Sequence, residues 1–296
     1  MKIHLHAGAA LLALLPLAAQ ASLSYTISYV DPFNLVSAYR PQIDSHIGAA
    51  MGAWGSRLKN SASIEIEVRI ASTLAYASGF SATSGYVGEY ANGSLWQQGM
   101  AYEIATGVDP NGDDADVVIM LNPGYVAHQL WFDLDPVART APVGADRTDA
   151  MSVFIHEIGH ALAFNGWGNG INGAPPAGYG STWDQFVSYE GSNMYFNGPQ
   201  AMSVYGAPVP ITQGNNFHFG NSPASGRPGS DLANDLFNGW MFYNGQRYGI
   251  SALDEAVLAD TGTELAKQVP EPAGAALFMA ALAGLFCARR RRRTAA

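Results

Sequence analysis

Apolar and polar positions repeat along the chain with two periods, and the periods mark its elements. Residues 22–30 alternate as a strand does. Residues 41–58 place Ile43, Ile47, Met51 and Trp54 at helical spacing, which predicts an amphipathic helix. Residues 61–71 set Ile64, Ile66, Val68 and Ile70 on one face and Glu65, Glu67 and Arg69 on the other, the pattern of a half-buried strand. Residues 72–92 are rich in Gly, Ser, Ala and Tyr and read as loops or a short hairpin. Residues 95–106 suggest a second helix, and residues 116–122 a short apolar strand centred on Ile119. A further helix runs through 152–164, with Asp149 or Thr148 to cap its start and Asn165-Gly166 to stop it. Beyond it the pattern weakens. Residues 166–180 and 214–231 read as loops, 183–189 as a short amphipathic segment, and 196–212 as turns and short extended pieces. A last helix over 251–261 turns Leu253, Val257 and Leu258 inward, and no internal repeat is present.

The two ends follow other rules. Met1 and Lys2 precede an apolar run over 7–19 and a small-residue site, Ala19-Gln20-Ala21, so residues 1–21 read as a secretory signal peptide. At the other end, Val269-Pro270-Glu271-Pro272 leads into an apolar run over 273–288 and five arginines at 289–293. The run is shorter than the ~20 residues a stable membrane span needs. The order Pro-Glu-Pro, apolar run, basic cluster resembles the PEP-CTERM sorting segment of Gram-negative bacteria. The resemblance covers residues 269–296 and implies an exosortase-type processing partner. It also implies transient membrane contact through the two ends, and a destination at the cell envelope, the surface or the extracellular matrix. The domain between these ends, residues 22–268, has an upper part over about 22–166 and a lower part over about 167–268.

Charge and cysteine usage narrow the partners. The chain carries 15 Lys and Arg against 24 Asp and Glu. The terminal segments hold six of the basic residues, Lys2 and those at 289–293, so the domain is more acidic than the whole. An acidic surface argues against nucleic acid and anionic membrane as its partners. The lone cysteine, Cys287, sits in the sorting segment, so the domain has no disulfide and its stability must come from its core, with metals as a further candidate source.

The chemistry concentrates in the helix over 152–164, which contains His156-Glu157-Ile158-Gly159-His160. On a helix, His156 and His160 lie one turn apart on the same face, where two imidazoles can bind one Zn²⁺. Glu157 stands where it can act as general base on a water at the metal. A catalytic zinc keeps three protein ligands. The short-spaced pattern with a glycine and a third histidine is not met, because Ala163 and Gly166 occupy those positions. Of the remaining domain histidines, His46 falls in the first helix and His128 precedes the motif. Only His218, in a Gly/Asn-rich loop, follows it. His218 is favoured as the third ligand, with Glu190 and Asp184 as carboxylate alternatives.

The motif, a long insertion, the loop histidine, then residues 235–239 and 250–262 resemble the leishmanolysin-like branch of the metzincins. The resemblance is firmest over 146–262. It implies an α+β fold, a metzincin-like zincin with a mixed twisted sheet, an active-site helix and an irregular C-terminal subdomain. It also implies a zinc endopeptidase acting on protein or peptide substrates. A methionine turn is expected beneath the metal, but Phe237 stands at that place, with Met241 four residues on. A different class of function is a surface or biofilm-matrix binding protein on the same scaffold with little activity. Intact Glu157 favours the enzyme, whereas Phe237 and Ala163 lean slightly toward the scaffold. Two further features are weaker. Asp109, Asn111 and Asp113 match the start of a Ca²⁺ loop, but Asp114 replaces its glycine and Met120 its last glutamate, so with Asp116 they read better as a solvated acidic turn. Tyr243 and Tyr248 are candidates to hold an oxyanion, although packing explains tyrosines as well.

Overall fold

The helix and the two strands with the clearest periodicity form where the spacing places them, and they carry the rest of the molecule. A computed structural model describes residues 23–91 and 93–266. The expected signal peptide and PEP-CTERM segment lie outside the described residues. The chain opens with β1 (Ser24–Val30), α1 (Arg40–Gly55) and β2 (Ser63–Ile70). Next come β3 (Ala77–Ser81), β4 (Ser84–Tyr90), β5 (Gly93–Gln98), α2 (Gly99–Thr106), β6 (Val117–Leu121) and α3 (Pro123–His128). The short strands β7 (Leu130–Trp131) and β8 (Thr148–Asp149) lead into α4 (Ala150–Leu162). The second half holds β9 (Gly178–Ser181), β10 (Val187–Glu190), β11 (Asn193–Phe196), α5 (Pro199–Tyr205), β12 (Val209–Pro210) and α6 (Ala252–Asp260). The fold is α+β, with six α-helices and several small sheets among the described residues. None of these helices is long and apolar enough to cross a membrane.

The main sheet has the order β1-β2-β6-β3. Its first three strands are parallel, and β3 runs antiparallel along β6 as an edge strand. Ile64, Ile66 and Val68 are buried on the inner face of β2, with Ile43, Ile47, Met51 and Trp54 of α1 in the same apolar cluster. Helix α4 joins this cluster on nearly all sides. All thirteen of its residues are buried, which explains an apolar content too high for a surface helix. The Trp54 indole N–H donates to the Ile155 carbonyl at 2.9 Å and locks α1 onto α4. Trp183, Phe196, Phe219 and Leu258 continue the cluster, so both halves of the chain share one core.

Three segments differ from their sequence pattern. Residues 72–92 are neither mainly loop nor a hairpin of their own: β3 and all of β4 lie there, β3 paired with β6 and β4 with β5. Gly and Ser are poor strand formers, and the pairing partners override that weakness. The helix expected over 95–106 starts only at Gly99. Leu95 and Trp96 belong instead to β5, which is held between β4 and β9. Residues 199–205 form α5, although the stretch reads as turns. Pro199 at its first turn and left-handed Gly206 after its end are the start and stop signals that the turn-rich composition masks.

Gly79 explains why β3 is so poor in side chains. A Cβ there would overlap the backbone of Glu157, so strand and helix backbones touch directly. Gly79→Ala should destabilise the fold by about 1–3 kcal/mol, the usual cost of overpacking. Gly52→Ala is the control. Its Cβ meets nothing within 4 Å on α1. It should stabilise by about 0.5–1 kcal/mol through helix propensity. Urea unfolding midpoints of the two variants test both signs.

Candidate metal centre

Asp149 is the cap of α4, and its carboxylate accepts the Ser152 N–H at 3.0 Å. The same carboxylate takes a 2.7 Å contact from Arg139 and a weaker one from Arg247 at 3.5 Å. The Ser152 hydroxyl accepts the Tyr248 N–H at 2.7 Å, which ties the start of α4 to the segment that follows residues 235–241. The helix ends at Leu162, before the expected Asn165-Gly166 stop. Its last turn is closed by a side chain: the His160 Nδ1–H donates to the Phe164 carbonyl at 2.6 Å.

His156 and His160 project from one face of α4, and His218 reaches the same point from a distant loop. The loop is fixed by backbone bonds on both sides. Phe219 N–H donates to Phe237 O at 2.7 Å, Gly239 N–H to Phe219 O at 3.1 Å, and Thr212 N–H to His218 O at 2.9 Å. Gly239 is required here, since a Cβ would overlap Thr212 and His218. The three Nε2 atoms stand 3.0, 3.0 and 3.1 Å apart.

That triangle is informative about protons. The Nδ1 of His156 lies 2.8 Å from the Leu236 carbonyl, which can only accept, so this Nδ1 carries the hydrogen. The same holds for His160 and Phe164. In these two neutral rings the Nε2 atoms therefore present lone pairs, not N–H groups, whereas the Nδ1 of His218 has no partner to fix its tautomer. Burial holds His156 and His218 well below the usual histidine range and pushes His160 down to about 4. The lone pairs of His156 and His160, 3.0 Å apart, repel unless a cation or a donor lies between them. His156, His160 and His218 thus form a group that could hold one metal ion.

Glu157 and all three histidines line a cleft of about 770 Å³. Residues 77–84, including β3, form another part of its wall, and Asn165, Gly166 and Trp167 line it as well. A second cavity of about 610 Å³ shares His156 and Glu157 and is lined by Tyr76, Tyr125, Trp240 and Tyr243 among others. Burial pushes the Glu157 carboxyl up to about 8, opposed by the Gly79 N–H. A cation held by the histidines would favour its charged form.

The other candidates have different duties. Asp184 is buried and accepts the N–H groups of Trp167, Gly168 and Ser181 at 2.9–3.1 Å, so it shapes the cleft wall and is not in the histidine group. Gly166 has no room for a side chain, because a Cβ would overlap Asp184. Glu190 is exposed at the end of β10. His46 is a satisfied core histidine: its Nδ1–H donates to Gln42 O, and its Nε2 accepts the Asp133 N–H at 3.0 Å. His128 is exposed. Tyr248 is buried, accepts the Tyr243 N–H at 2.9 Å and stacks on Phe242, so its hydroxyl is engaged in packing. The sequential calcium loop does not form. Asp109 Oδ1 instead accepts the N–H groups of Asn111 and Gly112, as an ordinary turn does.

Phe237, not Met241, lies against the histidines. Its ring stacks on His156 with centroids 4.8 Å apart and on Phe164 at 3.5 Å, whereas Met241 is 47% exposed. Gly159 makes room for it, since a Cβ would overlap the Phe237 ring. Periodicity gave no hint of this contact, and Gly159, a helix-weakening residue inside the motif, was the only available signal. No protein-family model, curated protein or solved structure matches the chain.

His156→Ala, His160→Ala and His218→Ala should each abolish stoichiometric metal binding, read as metal per chain by elemental analysis. His46→Ala should lower stability by about 1–3 kcal/mol through an orphaned Asp133 N–H but keep the metal. Retention of metal by the His218 variant would remove it from the ligand set. Phe237→Ala should cost about 3–5 kcal/mol in unfolding experiments, as large buried aromatics do. Met241→Ala should stay within about 0.5 kcal/mol of the parent.

Proposed function

We propose that this protein is a zinc-dependent endopeptidase that uses Glu157 as its general base. The observation that carries the reading is the convergence of three imidazole Nε2 atoms beside a buried glutamate in a large cleft. Zinc suits a set of three neutral nitrogen ligands, and three protein ligands leave an open position, as catalytic zinc sites do. When bound, the ion supplies Lewis acidity, lowering the pKa of water and polarising a carbonyl oxygen.

The chain's own residues do the rest. His156 and His160 are oriented by the carbonyls of Leu236 and Phe164, which fix the tautomer that leaves Nε2 free. Glu157 accepts a proton from the attacking water and passes it to the departing amine. Strand β3 has β6 on one side only and borders the cleft. An extended peptide laid along this free edge adds a strand, which holds its scissile bond near Glu157. The fold fits the leishmanolysin-like metzincin resemblance in its α+β class. On this reading Phe237 serves as the apolar floor that a methionine turn would otherwise provide. The terminal segments support export to the envelope or cell surface of a Gram-negative bacterium, with an exosortase-type enzyme acting on the tail.

Glu157→Gln should retain zinc and fold while lowering the hydrolysis of casein or a quenched fluorescent peptide by ~10²-fold or more. Unchanged turnover would show that Glu157 is not the base. A zinc-loaded parent with no cleavage of any protein substrate would favour the binding-scaffold reading instead.

A further inference from the structure

A second cluster of ligands lies where α2 and its loop meet the start of β6. Glu103 sits in the last turn of α2, Asp109 in the loop that follows, and Asp116 immediately before β6. One oxygen from each lies within 4.8 Å of the others. Asp109 is exposed, but Glu103 is only 6% exposed and Asp116 fully buried.

Each buried carboxylate uses one oxygen on the backbone of β2. Glu103 Oε1 accepts the Ser63 N–H at 3.2 Å, and Asp116 Oδ2 accepts the Glu65 N–H at 3.0 Å. These N–H groups lie where β2 extends beyond the end of β6, so the carboxylates replace a missing strand. The remaining oxygen of Glu103, Oε2, is buried with no hydrogen-bond partner. No lysine or arginine among the described residues makes an ion pair with Glu103, Asp109, Asp116 or the neighbouring Glu65. Burial first, then a side-chain hydrogen bond with Glu65 and the like charges of Glu103 and Glu65, push Asp116 up to about 7, opposed by the Glu65 N–H. A backbone-capping role accounts for one oxygen of each carboxylate and leaves the buried Glu103 Oε2 without a partner and several like charges uncompensated.

We infer that Glu103, Asp109 and Asp116 form a divalent-cation site that takes Ca²⁺. All three ligands are hard oxygens, and no imidazole or thiolate joins them, which disfavours zinc and favours calcium. The exposed Asp109 side leaves room for the waters that complete a coordination shell of six or more oxygens. The bound ion ties the end of α2 and its loop to the start of β6, the strand beside β3. The site is independent of the catalytic reading, because imidazoles do not hold calcium.

The test is the thermal midpoint of the zinc-saturated full chain titrated with CaCl₂ alone. A saturable rise of about 2 °C or more is expected by about 10 mM, given the ~10⁻⁴–10⁻³ M affinities of extracellular calcium modules. Glu103→Gln keeps the acceptor for Ser63 and should lose the rise. Asp109→Asn alters only an exposed residue and should shift the calcium midpoint upward by ~10-fold. This second variant decides the matter if Glu103→Gln fails to fold. No rise in the parent, or an equal calcium response in the parent and either folded variant, overturns the site.

Discussion

Three uncharged imidazoles held about 3 Å apart at their Nε2 atoms are the constraint on which the rest of this structure depends. Left alone, the lone pairs of His156 and His160 repel, so the fold must hold these rings against their own preference. It does so from behind. Leu236 and Phe164 carbonyls grip two of the rings, and backbone bonds between residues 212, 218, 219, 237 and 239 hold the third. The turn that presents Leu236 is itself pinned. Asp235 accepts the Phe237 N–H at 2.9 Å and the Ser251 hydroxyl at 3.0 Å, and Ser251 is the cap of α6. The last helix thus supports a ligand almost one hundred residues before it in sequence.

Close backbone approach is the second requirement. The elements around the histidines come nearer than ordinary side chains permit, and glycine makes this possible. Gly159 admits the Phe237 ring beneath the motif helix, Gly239 admits His218, and Gly79 lets β3 touch Glu157. Buried aromatic rings then fill what glycine leaves open. Phe237 bridges His156 and Phe164, and Trp54, which also comes up to Gly159, ties α1 to α4 with an indole hydrogen bond. A well-packed floor restricts ring rotation, which is how a site stays organised before any ligand arrives.

The two carboxylate-rich and histidine-rich clusters obey the same physical rule in opposite signs. Burial penalises charge, so histidines become neutral donors of lone pairs and carboxyls resist ionisation. In both places a bound cation would relieve the penalty. A domain without disulfides gains from such relief, since a ligand bound only to the folded state stabilises that state.

What the sequence determined by itself were the features written in local periodicity and spacing. The alternation of Ile64, Ile66 and Val68 made β2, the spacing of Ile43, Ile47, Met51 and Trp54 made α1, and His156 and His160 four residues apart had to share a helix face. His218 was reached by its position after the motif, and the structure brings it to the other two. What only the tertiary structure decided were the roles of residues whose partners lie far along the chain. Composition hid β3, because its small residues answer to the Glu157 backbone and not to strand propensity. Leu95 and Trp96 joined a strand because β4 and β9 were there to pair with it. Phe237 displaced Met241 beneath the histidines because Gly159 had left room for a ring. Glu103 joined Asp109 and Asp116 because α2 ends beside β6. Local pattern reports how a residue relates to its neighbours in the chain, while a site is set by neighbours in space, which packing alone selects.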